Sequence, residues 1–358
     1  MNEELAGARI DALRVRPLSV ALLEPFVIAT GRVDATRSVE VEAEVSWRGE
    51  RAVGLGEGAC LRPVTREDQG DVLRELEPHR SMELESLEGL GPVARAAVET
   101  AILDAVGRIA GVPVRVLLGG DGDEAVDALE TDVTVAIAEP TRMAELARGW
   151  VSKGFRALKV KVGKDVDADA RALEAIGRAA PAVTLRVDAN AGYSPAEAIA
   201  LARACERLGL RVECWEQPCA EDDLDGMAAV AAALDAPVIA DESVKTIDDL
   251  RVLATRRYAD GVNLKLAKSG GILACLAIGR AAQAAGLQLM VGGMVETRLG
   301  MTAAAHLACA LGGVAFVDLD TAWLLADDPY QGGTVSDGPR VRLPYRPGLD
   351  VRRRGEPQ

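Results

Sequence analysis

Apolar and polar positions change their spacing twice along the chain. Up to Cys60 they alternate with period two. Residues 9–20 (RIDALRVRPLSV), 38–50 (SVEVEAEVSWRGE) and 51–59 (RAVGLGEGA) read as antiparallel strands, with a turn at Arg48-Gly49-Glu50. The link 25–37 (PFVIATGRVDATR) is long for a hairpin loop, and long connections in compact domains often serve function. From 65 to 119 the spacing becomes helical. Thr65-Arg66-Glu67-Asp68 is acidic, as helix starts are. Val93, Ala97, Ala101, Asp104 and Val106 recur roughly one turn apart, and Gly111 and Pro113 close the stretch.

From Thr131 short apolar runs alternate with Ala-rich amphipathic stretches every ~25 residues, the signature of βα units on a parallel sheet. Eight runs fit: 131–137, 156–162, 184–190, 212–218, 237–242, 261–266, 288–293 and 315–320. Eight strands, each followed by a helix or loop, make a (β/α)8 TIM-type barrel. The expected fold is therefore α/β. An N-terminal α+β capping domain takes residues 1–125 and the barrel takes 126–324. A segment at 325–358 lacks the barrel rhythm and returns to the cap. Its basic tail, Arg352-Arg353-Arg354, is expected to fray.

Composition narrows the class. With 358 residues, 49% of them apolar, a large core needs no staples. The six cysteines are scattered without a CxxC and read as reduced core thiols. The net charge of −14 argues against nucleic acid and anionic membranes as partners. No apolar run reaches the ~20 residues of a membrane span, and residues 1–11 (MNEELAGARID) lack the apolar stretch of an export signal, so the cytosol is expected. An acidic barrel of this size is expected to form a homo-oligomer. Only two histidines exist: His79 reads as surface and His306 as core.

Barrel active sites lie at the C-terminal strand ends, and few of those ends are bland here. Lys159 and Lys161 sit two apart on the second strand, so both point inward. A buried pair of like charges is unfavourable for folding, which points to chemistry. Asp188, Glu216 and Asp241 end strands three, four and five, so three carboxylates converge. Their oxygens suit Mg²⁺, and Mn²⁺ would satisfy the same donors. Lys161 and Lys265, on strands two and six, face each other across the mouth. This arrangement fits removal of a proton α to a carboxylate by one lysine. The resulting enediolate is stabilised by the metal, and the opposite lysine returns a proton to invert the carbon. The positive charge of Lys159 favours the neutral amine of Lys161.

KVKVG, RVDAN, EQP, ADES and NLKLAKSGG, in this order on the expected strands, resemble the enolase superfamily, specifically its muconate-lactonizing subgroup. The resemblance spans nearly the whole chain. It implies Asp188, Glu216 and Asp241 as Mg²⁺ ligands, and Lys161 and Lys265 as the acid/base pair. Strand seven (QLMVGG) lacks the histidine that the mandelate-racemase branch would place at its end. Asp318-Leu319-Asp320 resembles the Asp-x-Asp motif of dipeptide epimerases, whose two carboxylates take the ammonium of the dipeptide. Two carboxylates on one strand face attract a cation, and muconate, N-succinyl amino acids and succinylbenzoate carry none. The implied activity is epimerisation of a dipeptide at the Cα of its C-terminal residue. Epimerases acting on Ala-Glu often add an arginine in the loop after the first strand. An ungapped reading from Pro25-Phe26 places Gly31 there, with Arg32 adjacent.

Thr134, on the first barrel strand, and Arg32 are further candidate substrate contacts, and Asn190 is a candidate supporting group behind a metal ligand. Cap residues 25–37 and 60–65 are expected to cover the site and set the side-chain preference. By strand parity Glu213 and Glu242 face away from the site, and Arg186 is a barrel-interior ion-pair partner. Trp215 reads as packing. The alternatives are an N-acylamino-acid racemase or muconate-type cycloisomerase of the same superfamily, a Schiff-base aldolase using one barrel lysine, or a non-catalytic binding protein on an enzyme fold.

Overall fold

The structure is a computed structural model that describes residues 5–79, 81, 84–120 and 128–356. Five strands open the chain: β1 (Arg9–Leu18), β2 (Ala21–Ile28), β3 (Gly31–Ala35), β4 (Ser38–Trp47) and β5 (Glu50–Ala59). β1, β4 and β5 form one antiparallel sheet. The expected long loop at 25–37 is instead largely the hairpin β2–β3, with Phe26 opposite Val33 and Ile28 opposite Gly31. Its alternating apolar residues are too few to be distinguished from a loop by pattern alone.

Helix α1 (Gln69–Leu76) starts at Asp68, whose side chain accepts the Asp71 amide while Asp71 returns the bond. Helix α2 (Pro92–Ala110) is buried along most of its length and lies on β5. Alternate glycines of β5 make this approach possible. A Cβ at Gly54 would sit 2.0 Å from the Ala101 carbonyl oxygen, and one at Gly56 2.0 Å from that of Ala97. Each Val, Ile or Leu that α2 buries stabilises the cap by about 1.5–3 kcal/mol. Helix α3 (Val114–Leu117) follows. The expected domain boundary at 125/126 lies outside the described residues.

After β6 (Ala128–Glu130) come the eight strands of the parallel sheet: β7 (Val133–Val135), β8 (Ala157–Lys161), β9 (Thr184–Asp188), β10 (Val212–Glu216), β11 (Val238–Ala240), β12 (Gly261–Leu264), β13 (Gln288–Gly292) and β14 (Phe316–Asp318). They neighbour one another in sequence order. The Asp132 amide donates to the Val317 carbonyl at 3.0 Å, which brings the last strand back to the first in a nearly closed barrel. Helices α4 (Pro140–Ser152), α5 (Val166–Ala179), α6 (Pro195–Arg207), α7 (Leu224–Ala233), α8 (Ile247–Arg256), α9 (Leu266–Ser269), α10 (Ile272–Ala284) and α11 (Arg298–Leu311) connect successive strands, with α9 and α10 both between β12 and β13. Each strand is shorter than its apolar run, with run residues left outside the sheet beyond its C-terminal end and, in β7, β8, β11 and β14, before its start as well.

The barrel interior is a packed core. Cys214, Ile239, Met290 and Phe316 form one apolar cluster. The guanidinium of Arg186 lies over the Phe316 ring at 5.1 Å and pairs with Asp132 at 2.9 Å and Glu213 at 2.8 Å. The expected outward direction of Glu213 does not hold. The β9–β10 register shifts between Val212 and Cys214, which suspends simple alternation at Glu213.

Two cap carboxylates join the cap to barrel helices. Glu57 on β5 accepts the Thr297 amide and hydroxyl and the Gly300 amide at the start of α11. Glu99 on α2 accepts the Leu273 amide at the start of α10, 2.9 Å away. Helix N-termini leave such amides without intrahelical partners and favour negative charge.

The chain ends with β15 (Tyr330–Gly332), β16 (Val335–Asp337), β17 (Arg340–Arg342) and β18 (Val351–Arg353). β15 pairs with β18, and β17 lies between β16 and β6. Tyr330 donates its hydroxyl to Glu40 on β4, and Arg353 pairs with Glu40 and Glu42, each at 2.7 Å. The tail therefore does not fray at 352–354. Two carboxylates on β4 hold the Arg353 fork, and Arg354 pairs with Asp327. His306 is buried and its Nδ1 accepts the Arg115 amide, while burial pushes the imidazole down to about 3 and keeps it neutral. All six cysteines are free. Among the described residues no helix is long and apolar enough to cross a membrane.

Candidate active site

Strand register lines up the C-terminal ends. Lys161 pairs with Asp188, and Asp188 with Glu216, across β8, β9 and β10. Asp241 follows the end of β11, and Lys265 follows β12 as the residue before α9. All five side chains are buried. The structure therefore brings together every lysine and acidic residue of the expected catalytic and metal-binding set.

Ammonium and carboxylate groups interleave there. Lys161 Nζ lies 2.5 Å from Asp188. Lys159 Nζ lies 3.1 Å from Asp188, 2.7 Å from Glu216 and 2.7 Å from Asp318. Lys265 Nζ lies 2.6 Å from Asp241 and 3.7 Å from Glu216. Burial disfavours the charge on Lys159, but the carboxylates of Asp318, Glu216, Asp188 and Asp132 outweigh it and hold the ammonium well above the ordinary lysine range. Lys265 is raised in the same way, with Asp241 its largest support. Burial works against Asp188 and Asp241 too, yet the surrounding lysines keep both ionised, far below the usual carboxylate range.

Sequence reasoning missed several groups. Lys268 is buried and donates to the Asp241 carboxylate at 2.7 Å and to the Asn263 carbonyl at 2.8 Å. Its signal was present, since it stands one helical turn beyond Lys265 in NLKLAKSGG. Gln217, within EQP, accepts the Asp241 amide at 2.8 Å. Glu242 is a correction. β11 ends at Ala240, so strand parity no longer applies, and the Glu242 side chain is buried and accepts from Asn190 Nδ2 at 3.2 Å. Burial, then Asp241 and Asp188, push it up to about 8. Asn190 also donates its amide to Asp188 Oδ1 at 2.9 Å, which places it behind that carboxylate. Its φ of 42° is a left-handed conformation that asparagine tolerates better than most residues.

Across the mouth, Asp318 and Asp320 follow one another on β14 and just beyond it. The Thr134 amide donates to Asp320 at 2.5 Å. Asp132, a residue not singled out from the sequence, completes a group with Asp318 and Asp320 whose oxygens lie within 4.8 Å of one another. Burial, then the neighbouring Asp318, push Asp320 up to about 7. Lys159 holds Asp318 below its usual range against burial.

The cap closes over these groups. Phe26, Ile28, Leu61 and Val64 line a narrow cavity together with Thr134, Lys159, Lys161, Lys265, Asp318 and Asp320. The Phe26 ring lies 5.9 Å from Lys161 Nζ. Backbone hydrogen bonds from Leu23 to Leu324 and from Ile137 to Val27 pin the hairpin in place. Arg32 does not reach the cavity. It pairs opposite Val27, on the hairpin face turned from Phe26 and Ile28, and its exposed guanidinium binds Asp34 at 3.0 Å.

The donor set fits a hard divalent cation. Asp188, Glu216 and Asp241 supply carboxylates at three adjacent strand ends. Asn190 Oδ1, Asn263 Oδ1 and Glu242 Oε2 are buried oxygens without a hydrogen-bond partner beside them. Such oxygens are the ligands and supporting groups that Mg²⁺ takes.

Residues 142–355 match the family model described as Enolase C-terminal domain-like. The L-Ala-D/L-Glu epimerase of Bacillus subtilis (strain 168) is 37% identical over 96% of this chain and 96% of its own length. The structure of a substrate-liganded complex of the B. subtilis L-Ala-D/L-Glu epimerase aligns with a TM-score of 0.88 at 34% identity, covering 96% of this chain and 98% of that one. A dipeptide epimerase from Enterococcus faecalis V583, complexed with Mg and L-Leu-L-Tyr, aligns with a TM-score of 0.87 at 32% identity, covering 96% and 99%.

Proposed function

The chain belongs to the enolase superfamily, its close homologues are dipeptide epimerases and related racemases, and on that premise we propose that it is a Mg²⁺-dependent isomerase that epimerises dipeptides at their C-terminal residue. The observation that carries this reading is one cavity lined by Lys161, Lys265 and the Asp318–Asp320 pair. Lys161 and Lys265 come from strand ends four apart in a ring of eight, so they approach a bound substrate from opposite faces.

Asp318 and Asp320 accept the ammonium of the dipeptide, and the Thr134 amide orients Asp320 toward it. That contact sets the distance from the ammonium to the reacting carbon. The neutral Nζ of one lysine takes the α-proton of the C-terminal residue, and the ammonium of the other delivers a proton to the opposite face. One proton leaves and one arrives, so the substrate is recovered with its α-carbon inverted. Asp188, Glu216 and Asp241 would hold the divalent cation. When bound, that cation supplies positive charge that stabilises the substrate carboxylate as it gains electron density. Lys159 remains a fixed cation among the carboxylates. Phe26, Ile28, Leu61 and Val64 exclude water and offer the C-terminal side chain an apolar wall, which favours an apolar residue over glutamate.

The domain limits at 125 and 324 and a homo-oligomeric assembly are carried as parts of this proposal. They rest on the βα rhythm and on the acidity and size of the barrel.

Incubation of L,L-dipeptides in D₂O with Mg²⁺ tests the reading. Deuterium is expected at the C-terminal α-carbon together with the inverted diastereomer. N-acetylated dipeptides, which lack the ammonium, are expected to exchange at least ~10²-fold more slowly. Equal rates with and without the acetyl group would favour an N-acylamino-acid racemase instead.

A further inference from the structure

A second cavity, of about 280 Å³, adjoins the catalytic one and shares Phe26 and Thr134 with it. We infer that this cavity receives the side chain of the substrate's N-terminal residue and selects a large apolar one. The inference rests on the epimerase reading above.

Position comes first. The Thr134 amide holds Asp320, the proposed partner of the substrate ammonium. The carbon bearing that ammonium therefore lies at the edge where the two cavities meet, and its side chain has this second cavity as its adjoining space.

The walls state the chemistry. Leu146, Trp150, Ile137, Trp323 and Leu324 line the space. Trp150, Phe155 and Trp323 form a run of edge-to-face rings, with centroids 5.5 Å apart at each step. This arrangement stiffens the aromatic wall. Charged residues occur among the lining, yet each is engaged. Glu24 and Glu145 both pair with Arg142, and Lys153 lies 4.1 Å over the Trp150 ring. These charges lie at the solvent-exposed rim and already have partners, which leaves the apolar wall behind them as the surface offered to a side chain.

Room is the third point. Gly149 on α4 lines the cavity at its solvent-exposed edge, where a Cβ would meet nothing within 4 Å, so a larger residue there can reach over the opening. The cavity volume of about 280 Å³ has room for a leucine- or phenylalanine-sized group.

The test is a dipeptide series with one C-terminal residue and Gly, Ala, Leu or Phe at the N-terminus, scored by kcat/KM for α-proton exchange. We expect kcat/KM to rise by ~10²-fold from Gly to Leu or Phe. Gly149→Leu narrows the cavity from the helix, and Ala138→Trp narrows it from the loop after β7. In either folded variant the Leu-over-Gly preference should fall at least ~10-fold. A flat series, or a preference unchanged in a variant whose melting temperature matches the parent, overturns the inference while the epimerase reading stands. Absence of exchange with every dipeptide overturns both.

Discussion

Lys159 and Lys161 meet on one oxygen: Asp188 Oδ2 lies 3.1 Å from the first ammonium and 2.5 Å from the second. They are not equivalent. Lys159 is 1% exposed and also reaches Glu216 and Asp318, so it is the deeper charge and binds three carboxylates together.

Lys159→Met is therefore expected to destabilise the fold as well as to impair activity. Removing one member of a buried ionic network leaves its partners uncompensated, which costs about 3–5 kcal/mol. Urea unfolding at neutral pH measures the loss. A variant as stable as the parent would show that the carboxylates do not depend on this cation.

Lys161→Ala and Lys265→Ala should separate the two halves of the reaction. Each is expected to lower kcat for epimerisation by ~10³-fold or more. Each should also abolish deuterium exchange with one C-terminal stereoisomer while leaving measurable exchange with the other. NMR of the α-proton reads both results. If either variant lost exchange with both stereoisomers equally, assignment of one lysine to each face would fail.

Asp318→Asn and Asp320→Asn act on recognition of the ammonium. Each should raise KM for dipeptides by ~10–10³-fold. Initial-rate kinetics at several dipeptide concentrations would show this, and an unchanged KM in both variants would remove these carboxylates from substrate binding.

Binding of Mg²⁺ by Asp188, Glu216 and Asp241 predicts a thermal shift. A ligand that binds only the folded chain stabilises it by about 2.7 kcal/mol at a hundredfold excess over its Kd. The melting temperature should rise with Mg²⁺ and return on chelation, and Asp241→Asn should reduce the shift. Equal shifts in parent and variant would place the ion elsewhere.

Glu99 links stability to pH. Burial pushes its carboxyl up to about 7 from an ordinary 4.5, against the Leu273 amide that favours the charged form. Between these values the folded chain keeps a proton that the unfolded chain releases, so stability falls as pH rises through this window. Glu99→Gln retains an oxygen for the Leu273 amide and carries no charge. The variant is expected to gain about 1–3 kcal/mol on the parent between pH 4.5 and pH 8. Parallel urea melts at the two pH values check the sign, and a gain at the acidic end would contradict it.

Much of this molecule is legible from spacing along the chain. The eight strands follow from short apolar runs recurring between helical stretches. Lys159, Lys161, Asp188, Glu216 and Lys265 could be placed because side chains two apart on a strand share a face, and strand ends in a barrel share one rim. That reasoning stops where regular geometry stops. Glu242 lies past the end of its strand and Glu213 at a shifted register, so parity misdirects both. Arg32 is one residue from an apparent register position, and on a strand one residue means the opposite face.

Periodicity is a relation between neighbours in the chain, and it suffices to set strand count and, within regular strands, facing. Contacts such as Lys159 to Asp318, Thr134 to Asp320 and Glu57 to Thr297 join residues 159, 186 and 240 positions apart. These depend on closure of the ring and docking of the cap, which no local pattern encodes. Neighbours in space then set the charge states of equally buried carboxyls: burial and then Asp318 raise Asp320, whereas the surrounding lysines overcome the same burial at Asp188 and hold it low.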